Sequence, residues 1–210
     1  MKKLKRLFLW MSSLSSFSFI FVSASCGIEV KNNTEVGKNK DKVEYGNEYY
    51  VINVIDGDTI IIDKDDKQVR VRLYGIDTPE TYKIYSDGSD NKDSLARLEN
   101  YYAIKARDEL KDMIWSNQRI IKLKDLGLDK YERTLGVIYS RNNEDLNLKL
   151  VESGLARVHY ISSNPKSVYY TKTDFEKEYH KKLLLIESES KNKEEGFWKE
   201  KNIKDVFKKG

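Results

Sequence analysis

Tyr50-Val51-Ile52-Asn53-Val54-Ile55-Asp56-Gly57-Asp58-Thr59-Ile60-Ile61-Ile62 sets two β-branched runs on either side of an Asp-Gly pair. Such side chains favour extended backbone, and Asp-Gly between two runs of this kind marks a tight hairpin turn. Lys64-Asp65-Asp66-Lys67 supplies a second turn. Beyond it Val69, Val71 and Leu73 alternate with Arg70 and Arg72, the period of a strand with one buried face. Local rules therefore predict a three-stranded meander that starts at Tyr49.

Working outward, Thr81 to Asp93 is polar and long enough to form a mobile loop. Leu98, Tyr102, Ala106, Leu110 and Ile114 recur at four-residue steps and predict a helix from about Ser94 to Trp115. Ile120-Ile121-Lys122-Leu123 and Thr134-Leu135-Gly136-Val137-Ile138-Tyr139 read as two more strands. Asn143 is placed to cap a short helix carrying Leu146, Leu150 and Val151, with Gly154 past its end. Thr173 and Glu176 form a capping-box pattern at the head of a last helix, Asp174–Glu189, striped by Phe175, Tyr179, Leu183 and Ile186. Five strands with a helix after the third describe an α+β fold: a closed five-stranded β-barrel of the OB type with about three peripheral α-helices, occupying 48–205.

The first 25 residues stand apart from this domain. Lys2, Lys3, Lys5 and Arg6 precede an apolar, serine-interrupted stretch, Leu7 to Val22, followed by the small residues Ser23, Ala24 and Ser25. That is the layout of a secretory signal, and the run falls short of the ~20 apolar residues a membrane span needs. Cys26 is the sole cysteine, which excludes an internal disulfide and a cysteine-rich metal site. Its position resembles a bacterial lipoprotein lipobox, although Ser23 stands where leucine is more usual. The resemblance implies cleavage before Cys26, acylation of its sulfur, and a protein held on the extracellular face of the cell membrane. Residues 26–47 would then be a lipidated cysteine and a solvated tether, since 27–47 are rich in Lys, Asn, Glu and Gly.

Removing the signal also removes four of the 38 basic side chains, leaving 34 against 34 acidic ones and a formal charge of zero. No global positive field remains to attract nucleic acid, so any phosphate recognition must be local.

Local recognition has candidates. Asp58 and Asp77 offer carboxylates and Thr78 a backbone carbonyl, all beside strand ends. Hard oxygens of this kind are what calcium takes, six to eight at a time. Pro79 biases Thr78 toward extended backbone. Glu80 is a carboxylate able to deprotonate an attacking water, and Arg72 and Arg133 can each offer a phosphate two parallel hydrogen bonds. Taken singly, these residues are ordinary turn formers, loop acids and surface arginines. His159 and His180 have no zinc-pair spacing, and Tyr101-Tyr102 and Tyr169-Tyr170 are paired aromatics suited either to packing or to stacking on bases.

The combination is more specific than its parts. Ile55-Asp56-Gly57-Asp58-Thr59, Arg72-Leu73-Tyr74-Gly75-Ile76-Asp77-Thr78-Pro79-Glu80 and Asp129-Lys130-Tyr131-Glu132-Arg133 occur in order, with Gly154-Leu155-Ala156-Arg157-Val158 and Gly196-Phe197-Trp198 behind them. From about Tyr49 to Trp198 the chain resembles the thermonuclease, or staphylococcal-nuclease-like, family. The resemblance implies an OB barrel and a calcium-dependent, monomeric enzyme that cuts DNA and RNA to 3′-phosphate products. Carried over by position, it implies Asp58, Asp77 and Thr78 as calcium ligands and Arg72, Glu80 and Arg133 as catalytic residues. Lys130, Tyr131 and Tyr160 fall at positions that contact the bound nucleotide. One departure is Glu132, where the family usually has glycine; a carboxylate there is placed to pair with Arg133 or to repel substrate. The other is the long Thr81–Asp93 stretch. The alternative reading is a surface nucleic-acid-binding barrel without turnover, which would be expected to lack an arginine or a metal carboxylate; none is missing here.

Overall fold

Residues 46–208 are described by the computed structural model; the signal segment, Cys26 and most of the tether lie outside them. The first β-branched run lies in a long strand, β1 (Asn47–Asp56), and the second opens β2 (Thr59–Lys64). Asp56 pairs with Thr59, so Gly57 and Asp58 alone make the turn. Two irregularities in the register, at Val51/Asn53 and Val54/Asp56, put extra residues into β1. Bulges of this kind bend a strand, as a closing barrel requires. The second hairpin leads to β3 (Lys67–Leu73), with Lys64 opposite Lys67. Its central residues, Asp65 and Asp66, have φ of 55° and 60°. Positive φ at both positions makes this a type I′ connection, the hand that matches strand twist.

After β3 come the short β4 (Ile76–Asp77), helix α1 (Glu99–Trp115), β5 (Ile120–Leu128) and β6 (Thr134–Tyr139). β6 runs parallel to β3, with Arg72 opposite Leu135, and antiparallel to β5, which returns to β1. The barrel closes in the order β1-β2-β3-β6-β5, the predicted OB-type arrangement. Inside it lie Val51, Ile60, Ile62, Val71, Ile121 and Val137, each with no exposed surface. Helices α2 (Leu146–Glu152) and α3 (Asp174–Asn192) complete the set, and β7 (Arg157–Val158) pairs antiparallel with β4 outside the barrel. Neither two-residue strand has enough residues to show a period.

Two helix starts differ from expectation. α1 begins at Glu99 rather than near Ser94, because the Ser94 hydroxyl donates to the Asn91 carbonyl, 2.6 Å, and Leu95 is extended. α2 is capped by Asp145, whose Oδ1 accepts the Leu148 N–H at 2.9 Å, and not by Asn143, which sits in a turn at φ 67°. α3 starts where predicted: Thr173 and Glu176 make both bonds of the capping box.

Gly57 has a reason other than the one the turn rule gave. It is not among the residues at positive φ; instead a Cβ there would lie 2.6 Å from the Ala106 Cβ and 3.0 Å from the Thr78 Cγ2. The hairpin carrying Asp58 therefore packs directly against α1 and the Asp77-Thr78-Pro79 turn.

Candidate active site

Asp58, at the end of the first hairpin, is 2% exposed. One of its oxygens accepts the Thr59 hydroxyl at 3.0 Å and the other accepts the Thr78 backbone N–H at 3.0 Å. Arg72 stands opposite Thr59 on β3, and its guanidinium pairs with Asp58 and, at 3.1 Å, with Asp77 Oδ1. Asp77 lies on β4 opposite Arg157 on β7, which donates to Asp77 Oδ2 from Nε at 3.1 Å and from Nη2 at 2.9 Å. Asp58, Arg72, Asp77 and Arg157 thus alternate in sign through a nearly dry network.

Burial pushes the Asp58 carboxyl above its ordinary value and the charge of Asp77 adds to this, while Arg72 and the Thr78 and Thr59 hydrogen bonds oppose it. Burial works against the Arg72 guanidinium too, but Asp58 and Asp77 outweigh it and raise its pKa. Two buried carboxylates that destabilise each other's charge suit a hard divalent cation. Among the described residues no cluster of three or more His, Cys, Asp or Glu side chains forms. Protein ligation would therefore rest on Asp58, Asp77 and the Thr78 carbonyl, with water filling the remaining positions. Oxygen donors of this kind suit a hard cation.

Glu80 follows on the exposed side. It shares a pocket of about 260 Å³ with Asp77, Thr78, Arg157 and Tyr160. Lys83 Nζ reaches back to Glu80 at 3.3 Å and to Asp56 at 3.1 Å. The predicted mobile loop is stitched at its base by Asn91, whose amide donates to the Thr81 carbonyl at 2.8 Å and whose oxygen accepts the Lys83 N–H at 2.7 Å.

Arg133 immediately precedes β6, whose Leu135 lies opposite Arg72 on β3. Its side chain does not join the buried network. It pairs with Asp129, from Nε at 2.7 Å and Nη2 at 2.6 Å, and lies 5.4 Å from the Tyr131 ring centre. Of the two roles open to Glu132, pairing with Arg133 is not what holds the arginine; Asp129 does. Asp129 also accepts the Tyr131 and Arg133 N–H groups; burial acts to raise its pKa, but the bonds to Arg133 and Tyr131 hold it below its ordinary value. Glu132 is exposed and has φ of 60°. Lys130 Nζ lies 4.8 Å above the exposed Tyr131 ring, and the Arg72 guanidinium lies 5.5 Å from the ring centre of Tyr160.

Three contributors escaped the sequence reading. Arg157 lies in a stretch noted only for its similarity, on a strand too short for periodicity. Asp129 carries no signal of its own beyond its place at the head of the Asp129–Arg133 motif. Lys83 sits in a polar loop, where nothing distinguishes one lysine from another. The four-residue step from Asp129 to Arg133 was the one available signal among them.

A closed OB-type barrel that gathers buried carboxylates, guanidiniums and an exposed tyrosine at one place puts the protein among the small OB-type barrels with a charged surface site. Comparison with known proteins narrows the class. Residues 70–200 match the model of the staphylococcal nuclease homologue family. A thermonuclease of Staphylococcus intermedius is 39% identical over 122 residues, 58% of this chain and 65% of its own length. A thermonuclease of Staphylococcus hyicus is 33% identical over 159 residues, 74% of this chain and 87% of its own. An uncharacterized endonuclease of Haemophilus influenzae is 30% identical over 107 residues, about half of each chain (50% and 49%). The chain belongs to the staphylococcal nuclease homologue family, a family of nucleases.

Proposed function

We propose that this protein is a calcium-dependent, sugar-nonspecific nuclease that hydrolyses DNA and RNA to 3′-phosphate products at the outer face of the cell membrane. The observation that carries this reading is the Asp58–Arg72–Asp77 network beside the pocket lined by Glu80. Asp58, Asp77 and the Thr78 carbonyl would hold the ion, which when bound supplies positive charge and polarises a phosphoryl oxygen. Arg72 trades a carboxylate partner for a phosphate oxygen, and Arg133 turns from Asp129 to do the same. Both stabilise the charge that grows on phosphorus-bound oxygens as water attacks. Glu80 takes the proton of that water, and the bond from phosphorus to the 5′-oxygen breaks in line. Lys130, Tyr131 and Tyr160 would hold the nucleotide at the site.

Cleavage of fluorogenic DNA and RNA oligonucleotides tests this directly. Both are expected to be cut with calcium and spared in excess chelator. Glu80→Ser and Arg133→Gly should each lose about 10²–10⁴-fold in kcat. Undiminished cleavage in chelator would defeat the calcium assignment, and tight binding without cleavage would favour a binding protein. The location is a separate prediction: Cys26→Ala should move the protein from the membrane fraction to the medium, and an unchanged distribution would exclude a lipid anchor on Cys26.

A further inference from the structure

Tyr169 is one of the paired tyrosines whose role the sequence left open. The residue is 41% exposed, and its ring stands 5.2 Å, centre to centre and edge-on, from that of Tyr160, a residue 42% exposed. Tyr160 in turn has the Arg72 guanidinium 5.5 Å from its ring centre and has φ of 57°, a costly conformation for a bulky residue. The ring beside the network is thus held where ordinary backbone would not leave it.

The segment bearing Tyr169 is built rather than loose. Ser162 and Tyr170 form a parallel bridge, and the Thr171 N–H donates to the Ser162 carbonyl at 2.9 Å. Within it the Ser167 hydroxyl accepts the Tyr169 N–H at 3.1 Å, and Asn164 accepts from Lys166 at 3.0 Å. This bonding fixes the backbone while leaving the Tyr169 ring open to solvent. Lys130 Nζ stands 4.8 Å from the Tyr131 ring centre and within electrostatic range of Tyr169 and Tyr160. A cation set among exposed aromatic faces is the arrangement that binds unpaired strands without sequence preference. The Tyr101-Tyr102 pair also has a cation, Lys105 Nζ 4.6 Å from the Tyr101 ring centre, but offers a single open ring, because Tyr102 is buried.

We infer that Tyr169 is a base-stacking platform that extends the site by one nucleobase beyond Tyr160. The inference rests on the nuclease reading for its kinetic form but not for its binding form. Base–aromatic stacking of the usual strength predicts that Tyr169→Ala raises KM for a single-stranded hexanucleotide about 5- to 100-fold with kcat unchanged. KM for a substrate with one base should stay constant. Tyr169→Phe and Tyr169→Trp should behave as wild type, while Tyr169→Leu, apolar but without a π-face, should behave as Ala. Fluorescence anisotropy of the same hexanucleotide should show the same order in Kd, so loss of binding order and loss of cleavage are read separately. Equal affinities across the series, a Leu variant that behaves as wild type, or an equal loss for the one-base substrate would each overturn the inference.

Discussion

Glu132 shows how a backbone requirement can look like a charge effect. Its φ of 60° lies where a non-glycine residue costs roughly 1–2 kcal/mol, so glycine is the natural occupant of that place in the turn before Arg133. Glu132→Gly should therefore stabilise the chain by about 0.5–1 kcal/mol, part of the gain being offset by the freer unfolded glycine. Glu132→Gln should leave stability unchanged, because the carboxylate is exposed. Urea unfolding of both variants, with KM for one oligonucleotide, separates the causes: a KM shift shared by Gln and Gly would restore the electrostatic role. At this scale the site was legible wherever a residue sat in a dense motif. Asp58, Arg72 and Asp77 were found that way and do converge. Arg157 was not, because its partnership with Asp77 exists only through the pairing of two-residue strands far apart in sequence.

Helix α2 carries the element-scale argument through its cap. Asp145 accepts the Leu148 N–H at 2.9 Å and the Tyr179 hydroxyl at 3.1 Å. Burial nonetheless raises its carboxyl from an ordinary 3.8 to about 6, the hydrogen bonds opposing the shift without cancelling it. A folded pKa above the unfolded one means that the native state holds a proton which the unfolded chain has released between about pH 4 and 6. The stability this group contributes is full below pH 4 and is lost as pH rises through 6. Asn keeps the cap and both accepted bonds but cannot ionise. Asp145→Asn should match wild type near pH 4 and exceed it by roughly 1–3 kcal/mol at pH 7. Urea midpoints at pH 4, 5, 6 and 7 read the difference, in which other titrations cancel; a constant gap would show that Asp145 does not titrate there. Helix heads were legible where side chain and backbone agreed, as at Thr173 and Glu176. The head of α1 was not, because the Leu98 N–H is taken by the Asp205 carbonyl at 2.7 Å, a contact 107 positions away that no local rule contains.

Over the whole molecule, closure of the barrel and docking of the C-terminal segment set where the site ends up. The five strands were readable, but the parallel β3–β6 pairing that brings the start of β6, just after Arg133, beside the strand carrying Arg72 is non-local. The C-terminal segment is fixed by two glycines in contact. Gly154 and Gly196 have φ of 63° and 53°, and the Phe197 N–H donates to the Gly154 carbonyl at 2.9 Å. A Cβ on Gly196 would stand 2.1 Å from the Gly154 oxygen, which is backbone and has no rotamer to escape by. This junction seats Phe197, with no exposed surface, against Tyr102 and Phe207. Phe207 in turn lies 4.0 Å from the Arg157 guanidinium, the partner of Asp77. Gly196→Ala combines a left-handed penalty with an overpacked backbone contact and should cost about 2–5 kcal/mol. Because the segment reaches Arg157, the change should also disturb the site: kcat of the variant should fall at temperatures where circular dichroism still reports a folded barrel. A Gly196→Ala variant with an unaltered urea midpoint would show that the glycine junction is not what docks the C-terminal segment, and an unaltered kcat with a lowered midpoint would show that the segment steadies the fold without steadying Arg157.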